Sequence, residues 1–354
     1  MKRIKNYRNT ARNYIFYILI ISIAVVLLAL IEKHLKGFYL GIFLLFGINA
    51  IICLGVTITN SYANIFSLGF GGIMLCSAYV SSLFTLPIQY KASFLELPAW
   101  LEAAQLPFVL ALLLGALSAV LASVLLVLPA FRLRGHYFIL ASIGINIVMA
   151  NLAVNFRSYT HGPLGIRNMP FATNVWWVYG ILFLTVIFMW RFTHSKFGRA
   201  IITLGKDQTL ASTMGIDVVR YKIYAFVIGS FIVGLAGPLW VHYTGAMHPE
   251  VFNLVFVFQI IAMLVIGGSG TISGAILGAG IITMFTHLAR PIQEGFKIFS
   301  LQVPPLIGLI QVLMAVMIFL VLMYKPEGLL GKNEITGQSL QCLWSKVRGK
   351  GNKV

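Results

Sequence analysis

The 354-residue chain is short of charge. Only 10% of its residues are Asp, Glu, Lys or Arg, nine of them acidic, whereas 59% are hydrophobic. Soluble domains carry about 25% charged and about 45–50% apolar residues, so a water-soluble fold is excluded and lipid is the solvent for most of the chain. Cysteine is equally scarce. Cys53, Cys76 and Cys342 have no metal-ligand spacing and two sit inside apolar runs, which argues against a disulfide framework or a thiolate metal site. The histidines (His34, His136, His161, His194, His242, His248 and His287) form no HExxH or comparable pattern. No glycine-rich stretch ends in the Gly-Lys-Ser/Thr that grips nucleotide phosphates. Neither a metal nor a nucleotide is therefore expected on this chain, and no residue is assigned a catalytic role.

What the chain does have is repeated apolar runs of spanning length, about 20 residues each. About ten can be placed, near 14–31, 38–59, 65–86, 106–128, 137–156, 174–193, 223–245, 251–267, 275–290 and 305–324. The expected fold class is all-α, a polytopic membrane protein of about ten transmembrane helices. It divides into a cytoplasmic segment 1–13, a transmembrane domain 14–324 and a basic tail 325–354. The N-terminus has the basic start of a signal peptide, but its apolar run continues to Ile31 without an obvious small-residue cleavage site, which reads as a retained helix. The formal charge of +17 comes from short blocks between apolar runs, not from one nucleic-acid-binding face. Placing both termini in the cytoplasm puts Lys2, Arg3, Lys5, Arg8 and Arg12 inside, together with the cations of 191–222 and the tail, as the positive-inside rule requires.

Under this arrangement every Asp and Glu falls in a loop or tail. Ion-coupled transporters carry ionisable groups at membrane depth, where they persist only for function. No carboxylate sits there, and His287 lies late in the ninth run, so the energy for transport is expected from another protein. Polar residues inside runs tend to face a bundle interior. Asn49, Gln259, and Asn151 with Asn155 at i and i+4 are candidates for either interhelical hydrogen bonds or a solute pathway.

Glycines fall into three groups. Gly270, Gly274 and Gly278 repeat at i, i+4 and i+8, a stripe that lets a neighbouring backbone approach. Gly229 to Gly237 has the same small-residue character. Gly69, Gly71 and Gly72 open the third run, where glycine costs a helix about 1 kcal/mol each. Two readings stand there, close packing and a helix break lining a cavity. The third run and the ninth, SLGFGGIMLCSAYV and GTISGAILGAGIIT, also hint at an internal repeat of the kind transporters contain. Gly267-Gly268-Ser269-Gly270 fits the GxSG string of intramembrane serine proteases, with His287 as the only base in the run. Eighteen residues of helix separate them by about 27 Å, beyond reach of a nucleophile–base pair.

The loop 194–222 is the most informative stretch. Asp207 is placed to cap a helix over Gln208–Met214 that Gly215 ends in the left-handed conformation, with Leu210, Ala211 and Met214 on one face. A short apolar helix between two spans suits docking into a partner's groove. This loop resembles the coupling segment of ABC importer permeases of the branched-chain amino acid type, specifically the larger, M-type subunit. The resemblance continues through FGRAIITLGKDQTLASTMGIDVVRYKIYAFVIGSFIVGLAGPLWVHYTG, IGGSGTISGAILGA and KPEGLLGK, and more weakly through YFILASIGINIVMANL and THGPLGI, covering roughly 40–332.

It implies a pseudo-symmetric pair with a second permease, two cytoplasmic ATPases that bind the ATP, and an extracytoplasmic solute-binding protein. The setting it implies is a bacterial cytoplasmic membrane. Gly205, Asp207, Ala211, Gly215 and Ile216 would form the coupling helix. One departure bears on substrate. The family commonly shows Gly-Tyr-x-Gly-x-x-Ser-Leu-Gly-His entering the third run, and here Asn64 replaces the second glycine and Phe70 the histidine. Branched-chain amino acids are the expected solute, with urea, amides or nucleosides as the alternative and a self-sufficient secondary transporter or channel as the rival class.

Overall fold

A computed structural model describes residues 28, 32–34, 37–130, 136–293, 297–298, 301–302, 306 and 308–331. The segment 1–13, the first expected span apart from Leu28, and the chain after residue 331 lie outside the described residues. Each remaining apolar run is a helix. Helix α1 (Phe38–Val56) passes directly into a π-helical turn (Thr57–Tyr62), and an extended segment leads to α2 (Phe70–Thr85). Two short helices, α3 (Ile88–Phe94) and α4 (Ala99–Ala103), lead to α5 (Phe108–Ala130), α6 (His136–Asn155) and the single turn α7 (Arg157–Thr160). Then come α8 (Val175–His194), α9 (Lys196–Lys206), α10 (Gln208–Thr213), α11 (Val218–Thr244), α12 (Leu254–Gly267) and α13 (Ile272–Gln293). A two-residue antiparallel hairpin, β1 (Lys297–Ile298) and β2 (Leu301–Gln302), precedes α14 (Leu309–Tyr324).

Six of these helices are long and apolar enough to cross a bilayer unaided: α1 with its π turn, α5, α6, α8, α11 and α13. The α2–α3 pair passes the same test but bends by 112°. At 14 and 16 residues, α12 and α14 fall short of the roughly 20 a span needs. The protein is an all-α polytopic membrane protein, with several of its elements shorter than full spans.

Burial separates centre from periphery. In α1, 72% of the spanning window is buried inside the chain, against 22% in α6. The hub is α11, which packs against α1, α2 and α5. Its glycines explain how one helix serves three neighbours. At Gly229 an added Cβ would lie 2.8 Å from the Gly55 carbonyl of α1, and a Cβ at Gly55 would lie 2.8 Å from the Gly229 carbonyl. At Gly234 a Cβ would press on Ala116 and Ala119 of α5, and at Gly237 on the Met74 carbonyl of α2 at 2.8 Å. The small-residue run 229–237 is therefore a packing device, with each glycine committed to a different helix.

Pro238 adds a directional bond. A proline inside a helix has no N–H to offer the carbonyl four residues back, which here is Gly234. The Ser77 hydroxyl of α2 donates to that carbonyl instead. A neighbouring helix thus satisfies a backbone group that lipid could not. One turn from the end of α11, buried His242 bonds the Pro238 carbonyl through Nδ1 and pairs Nε2 with Thr85 Oγ1 of α2, each at 2.8 Å.

The stripe of Gly270, Gly274 and Gly278 needs correction. Helix α13 begins at Ile272, so Gly270 lies in the preceding turn at φ +97° with open space around its Cα. Its role is conformational. Gly274 and Gly278 do lie on the helix, where a Cβ on Gly278 would collide with the Met263 carbonyl of α12 and one on Gly274 with the Gly268 carbonyl just after it.

The Ser77–Gly234–Pro238 arrangement predicts non-additive mutations. Ser77→Ala strands a buried carbonyl and should destabilise the detergent-solubilised protein by about 1–2 kcal/mol. In a Pro238→Ala background, the restored N–H reclaims Gly234, and the same Ser77→Ala change should cost much less. Unfolding curves of the four proteins in a double-mutant cycle read the difference.

Candidate functional site

Two regions gather the residues singled out from the sequence. The first is the α9–α10 arm. Ser195 caps α9 by accepting from the Gly198 amide at 3.0 Å, and Gly198, Ile201 and Leu204 form the buried side of this amphipathic helix. Asp207 then caps α10, its Oδ1 accepting from the amides of Thr209 (2.8 Å) and Leu210 (3.1 Å). Gly215 ends it at φ +78°, with its amide on the Ser212 carbonyl and the Ile216 amide on the Ala211 carbonyl, both at 3.0 Å. That pair of bonds is a Schellman motif, so α10 is closed at both ends. Leu210 and Met214 are 52% and 69% exposed, but Ala211 is fully buried. The expected shared face therefore splits: Ala211, about 100° round the helix from Leu210, faces the protein while the other two face out.

Gly205 has a sharper role than its sequence suggested. A Cβ there would overlap the Tyr62 carbonyl at the end of the π turn of α1. The arm thus sits backbone to backbone on the end of α1, a largely buried helix of the bundle. The other strings that carried the resemblance also meet each other. The Leu329 and Leu330 amides donate to the Ile266 and Gly267 carbonyls at 2.9 and 3.2 Å, clasping the closing KPEGLLG onto the α12–α13 turn.

The second region begins where α1 ends. Residues 63–69 are not helical, and side chains take over the backbone bonding that a helix would supply. Asn60 Oδ1 accepts from the Ser67 amide at 3.2 Å, Ser142 Oγ from the Leu68 amide at 2.9 Å, and Ser67 Oγ from the Gly69 amide at 3.2 Å. Asn60 and Ser142 escaped the sequence reading; a polar residue shortly before a glycine-rich break is a usable signal for Asn60, whereas Ser142 lies on the distant α6. Gly69, Gly71 and Gly72 all press against α6: a Cβ on each would come within 3.2 Å of Ser142, Asn146 or Met149. They hold α2 close to α6.

Asn146, also missed, sits at the meeting point of two irregular segments. Its Nδ2 donates to the Phe252 carbonyl at 3.3 Å, in the 3₁₀ turn Pro249–Phe252 that leads into α12, while Gly71 lies against the same carbonyl. Asn253 caps α12 from there, accepting from the Val255 and Phe256 amides at 2.9 and 3.2 Å.

A cavity of about 500 Å³ opens beside that cap. Asn49, Gln259 and Gln311 line it with Glu250, His287 and Arg290, and Leu45, Val251 and Phe256 supply apolar wall. Two of the polar candidates thus share one cavity, and Asn49 also donates to Thr283 Oγ1 of α13 at 2.8 Å. Asn151 and Asn155 do not belong to it. Both are exposed on α6, and Asn155 donates to the Asn151 carbonyl of its own helix at 2.9 Å. Among the described residues no three His, Cys, Asp or Glu side chains gather as a metal site. Ser269 lies in the turn before α13, and the helix runs unbroken from Ile272 past His287, so the sharp fold-back that a Ser269–His287 pair would need is not present.

The two departures from the family pattern have structural explanations. Asn64 sits at φ +51°, in the left-handed region that glycine and asparagine adopt most readily. Phe70 is 1% exposed and stacks on Phe226 of α11, with ring centroids 5.2 Å apart. Neither lines the cavity.

Residues 38–324 match the family described as branched-chain amino acid transport system / permease component. The chain is 25% identical over 314 residues to the high-affinity branched-chain amino acid transport system permease protein LivM of Escherichia coli, covering 79% of this chain and 67% of that one. The probable LivM of Methanocaldococcus jannaschii is 24% identical over 68% of this chain and 73% of its own. The LivH permease of Escherichia coli is 25% identical over 56% of this chain and 64% of its own. No solved structure matches.

Position 64 provides a test of the backbone account. Asn64→Gly should leave thermal stability nearly unchanged. Asn64→Val forces a β-branched residue into the left-handed region and should cost about 1–2 kcal/mol, read as a lower unfolding midpoint in detergent.

Proposed function

Because the chain belongs to the branched-chain amino acid transport permease family, we propose that it is the membrane-spanning subunit of an ATP-driven importer for branched-chain amino acids, forming half of the solute pathway. The chain is a transport permease, not an enzyme, and has no nucleotide motif of its own. On this reading, two cytoplasmic ATPase subunits bind and hydrolyse the ATP, a second homologous permease completes the pathway, and an extracytoplasmic solute-binding protein delivers the solute. The setting is the bacterial cytoplasmic membrane, with both termini cytoplasmic.

The observation that carries the reading is the doubly capped α10 with Leu210 and Met214 exposed beyond it. Two exposed apolar side chains on a rigid, closed helix suit a groove on a partner. Gly205, Asp207, Leu210, Ala211, Met214, Gly215 and Ile216 act together as the coupling element. Asp207 and Gly215 close the helix, Ala211 anchors it, Leu210 and Met214 engage the ATPase, and Gly205 passes displacement to Tyr62. From Tyr62 the movement reaches the non-helical segment 63–69, and through Gly69, Gly71 and Gly72 the packing of α2 on α6.

The cavity around Asn49 and Gln259 supports an amino acid over urea or a nucleoside. Arg290 and the N-terminus of α12 favour a carboxylate, Glu250 favours an ammonium, and the apolar wall accepts an aliphatic side chain. The packing roles of Asn64 and Phe70 remove the sequence reason for preferring the alternative solutes. In the paired permease, Asn151 and Asn155 stand on an outward face where a second subunit would reach them.

Replacing Asp207 by Lys together with Gly215 by Val should leave membrane insertion normal and abolish uptake of radiolabelled leucine in cells that depend on this transporter. Undiminished uptake at equal membrane levels would remove the arm from the mechanism.

A further inference from the structure

Away from the polar cavity, an apolar groove of about 560 Å³ runs between α5, α8 and α11. Leu113, Trp177, Leu184, Phe188, Ile228 and Phe231 are among its walls. The one hydroxyl in the lining, Thr185 Oγ1, donates to the Ile181 carbonyl of its own helix at 2.8 Å. The rest of the lining is aliphatic or aromatic.

At the α9 end the groove continues, past the shared residues Phe188 and Ile228, into a second hollow whose lining includes Trp190, Arg191 and His194. Arg191 and His194 lie in the last turn of α8, Lys196 opens α9, and no acidic side chain lines either hollow. The His194 ring packs on Trp190 with centroids 5.1 Å apart. The feature therefore has a cationic, aromatic head and a predominantly apolar body. Along α8 the body runs from Phe188 back to Trp177, about 16 Å at 1.5 Å per residue, close to half of a roughly 30 Å hydrocarbon core. Those dimensions are those of one leaflet.

We propose that this groove is a binding site for one anionic glycerophospholipid of the leaflet on the α9 side, its phosphate on Arg191 and His194 and an acyl chain between α5, α8 and α11. Cationic pockets beside transmembrane helices recognise anionic headgroups, and a tryptophan at the same level is suited to the membrane interface. The site joins the membrane to the root of the coupling arm, because Ser195, which caps α9, lines the same hollow.

The test uses the full-length protein in mild detergent, titrated with dioleoyl phosphatidylglycerol or dioleoyl phosphatidylcholine, with retained lipid counted by native mass spectrometry. Phosphatidylglycerol should be retained in preference by about fivefold or more, the factor expected from one interfacial cation. Arg191→Gln with His194→Gln should abolish the preference and leave phosphatidylcholine retention unchanged. Ile228→Trp, which fills the groove, should reduce retention of both lipids. Equal retention of the two lipids by the unaltered protein, or a preference that survives the double substitution, overturns the proposal. A photo-crosslinker at position 184 supplies an independent readout in native membranes. Lipid adducts support the site, whereas capture of another protein or of residues 14–31 of this chain overturns it.

Discussion

The Gly234 carbonyl is the point on which the bundle turns. Pro238 denies it the bond its own helix would give, and Ser77 of the neighbouring helix supplies one. Because the same stretch of α11 carries glycines at 229, 234 and 237, three helices approach it at backbone distance. In lipid there is little hydrophobic gain from bringing helices together, so close van der Waals contact and interhelical hydrogen bonds must do it. Here they are concentrated on one helix. The surrounding helices can then remain largely exposed, as α6 and α8 are, and available to lipid or a second subunit.

A central helix this tightly held would make a poor moving part. The movable elements lie elsewhere, where the backbone leaves the helix. The extended 63–69 takes side-chain bonds from Asn60 of the π turn, Ser67 and Ser142, and the 3₁₀ turn before α12 takes one from Asn146. Side-chain bonds of this sort can be exchanged without unfolding a helix. The α9–α10 arm rests on one of these segments through Gly205 and Tyr62, and the polar cavity opens beside another. The proposed transport cycle runs between those two places, with α11 as the fixed frame.

Much of this was legible before any coordinates. Long apolar runs dominate the sequence so strongly that every described run proved helical, and Asp207 and Gly215 announced α10 through their capping chemistry alone. The errors have specific causes. Gly270 was grouped with Gly274 and Gly278 on one helical stripe because it continued a four-residue rhythm, although its φ of +97° makes it a turn residue. Asn151 and Asn155 were expected to face inward because polar groups in spans usually do. Helix α6 is apolar almost all round, so no pattern marks which side is buried, and the buried amide is Asn146, more than a turn earlier. Ala211 was grouped with its exposed neighbours because an alanine carries no sign of whether it touches protein or water. The contact of Gly205 with Tyr62 joins residues distant in sequence, and no local pattern encodes it.

The central claim is that α10 transmits work from an ATPase to the bundle. It is tested most directly by placing a short cysteine-reactive photo-crosslinker at Met214→Cys, in native membranes, and identifying the captured protein by mass. The account predicts one dominant adduct with a soluble ATPase, lost when Asp207→Ala loosens the cap of α10. Adducts only with lipid, or only with other copies of this chain, would contradict it.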